Sequence, residues 1–282
     1  MVAPTLLECV INISEGTDAE CVGEIAAAGA PCLLDVHSDP WHNRSVITLA
    51  GAAPPVEAAV RRVAELAVRE LDIRSHAGAH PRLGVLDVVP FVDLAPAAQQ
   101  GPAVLARDRF ARFAGDELEL PCFLYGLERS LPEVRRWAFA PLEPDTGPWT
   151  PHPSAGACCV GVRPLLVAYN LWLDPERGAT PEQARQLARQ LRSPAVRSLG
   201  FDLDGRPQVS CNLIAPLEVG PSDVYNEVAA LAPIERAELV GLVPAAVLDG
   251  IPPERWEELG LSPEATIESR LAAAGPAAVD PF

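Results

Sequence analysis

The 282-residue sequence contains no lysine: all 22 basic residues are arginine, set against 38 acids for a net charge of −16. A chain that repels polyanions overall is a poor nucleic-acid binder, because such binding rests on neutralising phosphates. An anionic small substrate would need a local arginine cluster working against that field. Long apolar runs are also missing. The most apolar stretch, residues 165–173, falls far short of the roughly 20 residues that a membrane-spanning helix needs. The seven cysteines (Cys9, Cys21, Cys32, Cys122, Cys158, Cys159, Cys211) are odd in number and lack any Cys-x-x-Cys spacing. Neither a zinc ribbon nor a secreted disulfide framework fits them; Cys9, Cys21 and Cys32, in or beside apolar runs, read as small buried apolar side chains. There is no Walker A loop, no G-x-G-x-x-G after a strand and no G-x-S-x-G elbow, so nucleotide binding and serine-elbow chemistry have no support. The start of the chain has no basic region followed by a long apolar run, and the expected setting is the reducing cytoplasm.

What is present is an ordinary globular balance, 49% hydrophobic and 21% charged, in a length suited to about two domains. Residues 6–13 are β-prone, and Asp18 is placed to cap an alanine-rich helix reaching about residue 28. Residues 32–36 and 45–50 read as strands. Pro55 opens a helix with Val56, Val60, Val63, Ala67 and Leu71 on one stripe, and 85–89 is a strand closed by Pro90. The order is β-α-β-β-α-β. It recurs as a strand at 165–173, a helix at 181–191 capped by Thr180, and strands at 198–203 and 208–214 around the Asp204-Gly205 turn. Ser222 is placed to cap a further helix to about residue 231, and 238–243 closes the unit. The prediction is an α+β two-layer fold of two tandem ferredoxin-like subdomains, 1–164 and 165–282, each sheet covered by helices on one face. Between the units lies a connecting region with a helix at 101–118, a strand at 121–125 and a helix at 131–138. Residues 141–156 follow with five prolines in sixteen residues, as in a linker or a binding loop. A last helix is expected near 263–274.

Two segments concentrate groups that can do chemistry. His76-Ala77-Gly78-Ala79-His80-Pro81-Arg82-Leu83-Gly84 lies between a helix end and a strand. Its glycines let backbone approach a ligand, Pro81 holds His80 extended, and imidazole accepts and returns protons near neutral pH. His76 is equally suited to capping the preceding helix. In the second segment, Asp39, His42, Asn43 and Arg44 fit catalysis or anion binding, and also a plain turn seeded by Asp39-Pro40. Four of the five histidines fall in these two loops. Gly78 and Pro81 oppose the helix that a zinc-binding His76/His80 pair would require, and no glutamate separates the two, so no metal is expected. Cys158, Cys159 and Ser154 are the available nucleophiles.

These residues resemble the formiminotransferase family. The resemblance is carried by Glu8-Cys9-Val10, Asn12-Ile13-Ser14-Glu15-Gly16, His42-Asn43-Arg44-Ser45-Val46, the histidine–proline–arginine stretch ending at Gly84, and Asp87-Val88-Val89-Pro90-Phe91. It continues through Gly156-Ala157, Val160-Gly161-Val162-Arg163, Ala168-Tyr169-Asn170, Gln208-Val209-Ser210-Cys211-Asn212-Leu213 and Glu238-Leu239-Val240-Gly241-Leu242-Val243-Pro244. It runs from about residue 6 to about residue 248. Such a resemblance implies transfer of a formimino group from N-formiminoglutamate to tetrahydrofolate, giving 5-formiminotetrahydrofolate and glutamate. It implies folate as co-substrate, no metal, no nucleic-acid or membrane partner, and a homodimer; the length leaves no room for a cyclodeaminase domain. By the same resemblance, His80 is the catalytic acid/base and Gly147, Pro148, Trp149, Thr150, Pro151, His152, Pro153, Ser154, Ala155 and Gly156 form the folate segment, with Trp149 and His152 as stacking surfaces. Arg44, Arg82 and Arg163 are candidates for substrate carboxylates, with Asp39, His42, Asn43 and His76 in support. Departures remain: His37 stands where a carboxylate is expected, the stretch after Leu191 is short, and Ala237 replaces a serine. A different amine donor, or folate binding without turnover, are the alternatives.

Overall fold

Strand β1 (Leu6–Ile13) buries Leu7, Cys9, Ile11 and Ile13 completely, the period-two pattern of a strand with one face on a core. The computed structural model describes residues 5–79, 82–94 and 101–275. Asp18 accepts hydrogen bonds from the Glu20 and Cys21 N–H groups and so starts α1 (Ala19–Ala27). Strands β2 (Leu33–Asp39) and β3 (Arg44–Ala52) lead into α2 (Ala53–Glu70), which has proline in its first turn. The buried stripe of α2 is Val56, Ala59, Val60, Val63, Ala64 and Ala67, a helical period facing the sheet. Then come β4 (Leu86–Asp93), α3 (Gly101–Glu117), β5 (Cys122–Tyr125), α4 (Leu131–Trp137) and β6 (Cys158–Val162).

These six strands form one sheet in the order β2-β3-β1-β4-β6-β5. The first four are antiparallel, while β4, β6 and β5 run parallel to one another. The expected connecting region is therefore part of the first layer, since β5 and β6 widen its sheet. The expected one-sided cover is also incomplete. Val89 and Phe91 join the core under α1, α2 and α3, while Val88, Phe123, Tyr125 and Cys159 pack with Val134 of α4. Alternation along β4 puts these clusters on opposite faces.

Pro90 does not end its strand. Pairing between β1 and β4 is found at Cys9↔Phe91 and again at Asn12↔Val88. Proline, which has no N–H to give, sits in the interval where the ladder is interrupted.

The second sheet is built from β7 (Val167–Leu173), α5 (Pro181–Leu191), β8 (Val196–Leu203), β9 (Arg206–Leu213), α6 (Pro221–Ala229) and β10 (Ile234–Val240). Its order is β10-β7-β9-β8, all antiparallel. Thr180 caps α5 by accepting from Gln183 N–H at 3.2 Å. Asp204 and Gly205 turn the β8–β9 hairpin with φ of 53° and 80°, the left-handed pair that a type I′ turn requires. Ser222 does not cap α6; Gly220 does, its N–H donating to the Asp223 carboxylate at 2.8 Å. Helices α7 (Ala245–Asp249) and α8 (Ile267–Ala274) follow. In each sheet the first strand of the β-α-β-β-α-β set lies between the third and the fourth, the split β-α-β arrangement. The described residues divide into two compact units, one reaching Pro164 with residues 271–275 grouped in it, the other Leu165–Arg270. Among the described residues no helix is long and apolar enough to cross a membrane.

Leu49 of β3 is fully buried in the first core. Leu49→Ala is expected to cost about 2–5 kcal/mol, the range for deleting a buried leucine side chain. The shift of the urea midpoint at constant slope checks this.

Candidate functional site

Four segments meet where β1 ends: the turn into α1, the β2–β3 turn, the loop between α2 and β4, and a hairpin that closes the proline-rich run. In the first, one oxygen of Glu15 accepts from the N–H groups of Gly16 (2.9 Å), Thr17 (2.7 Å) and Asp18 (2.9 Å) and from the Thr17 hydroxyl (2.8 Å). Burial pushes the Glu15 carboxyl up, but these donors together hold it below its ordinary range. A side chain at Gly16 would lie 2.5–2.6 Å from backbone atoms of Arg44 and Asp39. Only glycine lets the two turns approach this closely.

Asn43, at φ 44°, joins three of the segments. Its Oδ1 accepts from Gly16 N–H at 2.9 Å, and its Nδ2 donates to the Ala77 carbonyl at 3.0 Å. Asp39 shapes its own turn, accepting from the Trp41 and His42 N–H groups at 2.9 and 3.0 Å. Its other oxygen lies 3.8 Å from His42 Nε2, and both side chains are buried. His37 sits two residues earlier on the same strand, hence on the same face as Asp39.

Helix α2 ends at Glu70 and a separate 3-10 turn, Ile73–Ser75, precedes His76. His76 therefore does not cap α2. Its Nδ1 lies 3.2 Å from the Ser14 carbonyl oxygen, which can only accept, so Nδ1 holds the proton and Nε2 the lone pair. Nε2 is buried without a hydrogen-bond partner among the described residues. Burial, and then the Arg82 charge, lower the His76 pKa and keep the ring neutral. His80 and Pro81 lie outside the described residues.

Arg82 is enclosed. It donates from Nε to the Ser14 hydroxyl (2.9 Å), from one terminal nitrogen to Asp87 (3.1 Å) and from the other to the Ile13 carbonyl (2.6 Å). Burial pulls it down to about 10, opposed by Asp87 and assisted by Arg44 and Arg135. A guanidinium so engaged anchors the loop. Asp87 has no exposure; it also accepts from Leu83 N–H at 2.7 Å and pairs with Arg135.

The hairpin is closed by reciprocal bonds between His152 and Gly156, N–H to carbonyl, at 2.7 and 2.9 Å. His152 Nδ1 accepts from the Ser154 and Ala155 N–H groups at 3.3 and 2.9 Å, so this nitrogen works inside the turn. The hairpin is laced onto both flanks of the histidine loop. Ser154 O accepts from Ile73 N–H (2.7 Å), Ala155 O from Val85 N–H (2.9 Å), and Ala157 N–H donates to Leu83 O (3.1 Å). Further back, Gly147 takes φ 81° against the Leu120 carbonyl, while Pro148, Trp149, Thr150, Pro151 and Pro153 are exposed, Trp149 by 71%.

Arg44, opening β3, belongs to this cluster through its charge on Arg82. Arg163 does not. It follows β6, which runs parallel to β4 with Val162 beside Phe91, so it lies at the far strand end from the histidine loop, near Cys9 and Tyr125. The cysteines are all free, and burial pushes Cys159 and Cys211 up to about 12, so they carry no thiolate for nucleophilic work. Among the described residues no group of three or more His, Cys, Asp or Glu side chains converges to hold a metal ion. Ser14, Asp87 and Arg135 were not foreseen as site residues. The signal for Asp87 was a charge inside the apolar run 85–92, which demands a buried partner.

Residues 6–163 match the formiminotransferase domain, N-terminal subdomain. The chain is 34% identical over 279 residues to the glutamate formimidoyltransferase of Thermoplasma acidophilum, covering 86% of this chain and 90% of that one. It is 32% identical to the formimidoyltransferase-cyclodeaminase of Rattus norvegicus over 86% of this chain, and 29% identical to the glutamate formimidoyltransferase of Streptococcus pyogenes. The chain spans about half the length, 51%, of the formimidoyltransferase-cyclodeaminases of rat and pig that it matches. It belongs to the formiminotransferase family.

Two outcomes follow from this geometry. A Cβ at Gly84 would lie 2.3 and 2.4 Å from the Ala157 and Ala155 carbonyls. Gly84→Ala is therefore expected to separate hairpin and loop, read as faster amide exchange at Val85 and Ala157 and a lower Tm. For His76, the unfolded chain takes up a proton near the ordinary value of about 6.5, before the folded chain does. Stability should thus fall as pH drops below about 6.5 and level off below the lowered folded value. His76→Asn keeps a donor for the Ser14 carbonyl but cannot titrate, and its Tm should vary less than the parent's between about pH 7 and 5.

Proposed function

We propose that this protein transfers the formimino group of N-formiminoglutamate to N5 of tetrahydrofolate, with His80 as general acid and base. Family membership supports the reaction class. The observation that carries the site is the hairpin 152–157, bonded by backbone to Ile73 on one side of the histidine loop and to Leu83 and Val85 on the other. Those bonds, to residues on both sides of position 80 in the sequence, support pairing the proline-rich segment with the histidine loop. On this reading residues 1–164 form the catalytic subdomain, residues 165–282 form the second, and the exposed rim Pro148–Pro151 with Trp149 faces the pterin.

The chemistry needs one proton carrier. The N5 amine attacks the amidine carbon, the new C–N bond forms, and the N5 proton passes to His80. The bond from that carbon to the glutamate nitrogen then breaks, and His80 returns the proton to the leaving amine. A group with a near-neutral pKa serves both steps. A loop rich in proline loses little entropy when it closes on a flat ligand.

Assaying the purified chain for 5-formiminotetrahydrofolate tests the proposal. His80→Ala is expected to lower kcat by roughly 10²–10⁴-fold, the usual worth of a positioned acid/base, with tetrahydrofolate Kd little changed. Full turnover by the variant removes His80 from the mechanism. Folate binding without turnover of any amidine donor by the parent protein would instead favour a binding role.

A further inference from the structure

Ser14 ends β1 and is nearly buried, at 5% exposure. Every polar atom it has reaches the histidine loop. Its carbonyl oxygen accepts from His76 at the loop's entrance (3.2 Å), and its N–H donates to the Val85 carbonyl at the exit (2.9 Å). Its hydroxyl donates to the Gly84 carbonyl at 2.7 Å and accepts from Arg82 Nε at 2.9 Å. A hydroxyl engaged as donor on one side and acceptor on the other has one orientation. The loop is thus closed at both ends by one residue.

We propose that Ser14 is a positioning residue for the reaction: it fixes both ends of the loop 76–84 and so sets where the groups within the loop stand relative to the hairpin. The inference rests on the functional reading above, in which that loop moves the proton. The backbone bonds of Ser14 are available to any residue, but the hydroxyl pair is not. Alanine at this position would leave the Gly84 carbonyl and Arg82 Nε without their partner while keeping the strand. Arg82 would remain tied to Asp87 and to the Ile13 carbonyl, so the variant loosens the exit of the loop without freeing the buried charge.

The test is Ser14→Ala in the full chain, read by steady-state kinetics and by amide hydrogen exchange. Exchange at residues 83–85 should quicken. The kcat should fall on the order of 10- to 100-fold, as expected when a reacting group is displaced by about an ångström. The KM for tetrahydrofolate should stay within about twofold, the signature of lost transition-state positioning rather than lost binding. A purely structural serine would lower Tm and the active fraction but leave kcat per folded molecule unchanged, and that result overturns the proposal. Unaltered exchange at 83–85 overturns the clamp itself. If the parent protein transfers nothing, the functional reading fails and this inference with it, whereas an active parent with an equally active variant sinks the inference alone.

Discussion

A carboxylate with no access to water, Asp87, stands between two guanidiniums and accepts a backbone N–H as well. The candidate site is arranged around that constraint. Taking Asp87 and Arg82 out of solvent, with Arg135 half-buried beside them, is costly, and only close pairing with saturated hydrogen bonding makes it tolerable. Arg82 reaches inward to Asp87, and Leu83 is fixed by the same carboxylate. Arg135 brings α4 to the same point from the other sheet face. Removing one member of such a group typically costs about 3–5 kcal/mol, because the remaining charge is stranded. The network therefore tolerates few arrangements of residues 82–87.

The hairpin 152–157 depends on this in turn. Its bonds run to Leu83 and Val85, one on each side of Gly84, and Gly84 itself must have no side chain for the strands to touch. The order of dependence is from the buried ion group to the loop exit, then to the hairpin, and last to the exposed rim around Trp149. The Pro148–Pro151 rim is exposed, and the fixed φ of its two prolines restrains its backbone.

Local signals were legible in the sequence where one residue type sufficed. The Asp18 and Thr180 caps, the α2 stripe and the Asp204-Gly205 hairpin each follow from short-range chemistry, and the two β-α-β-β-α-β runs were visible from them. The parallel strands β5 and β6 were not both visible, because strands of four and five residues carry little periodicity and their pairing is non-local. Pro90 misled because a missing N–H is harmful only where the ladder calls for one. Within the site, the histidine and proline segments stood out by composition, but that they touch is a backbone fact with no residue signature. Arg82 and Arg163 illustrate the limit: arginine in a polar stretch has the same appearance whether it binds a ligand, holds a loop, or sits at the opposite strand end.

The charge of the chain bears on the site in a similar way. At −16 overall, the molecule repels the anions that the proposed reaction would bring to it. Near the end of β1 three arginines gather: burial is the main cause that depresses Arg82, and the charges of Arg44 and Arg135 add to it. Asp87 offsets part of that charge by pairing with Arg82 and Arg135. Arg44, at the start of β3, lies beside the Gly16 turn. A local positive field in a low-dielectric setting outweighs distant surface acids, whose effect is screened over roughly 10 Å at ordinary salt. Burial first, and the Arg82 charge second, disfavour protonation of His76.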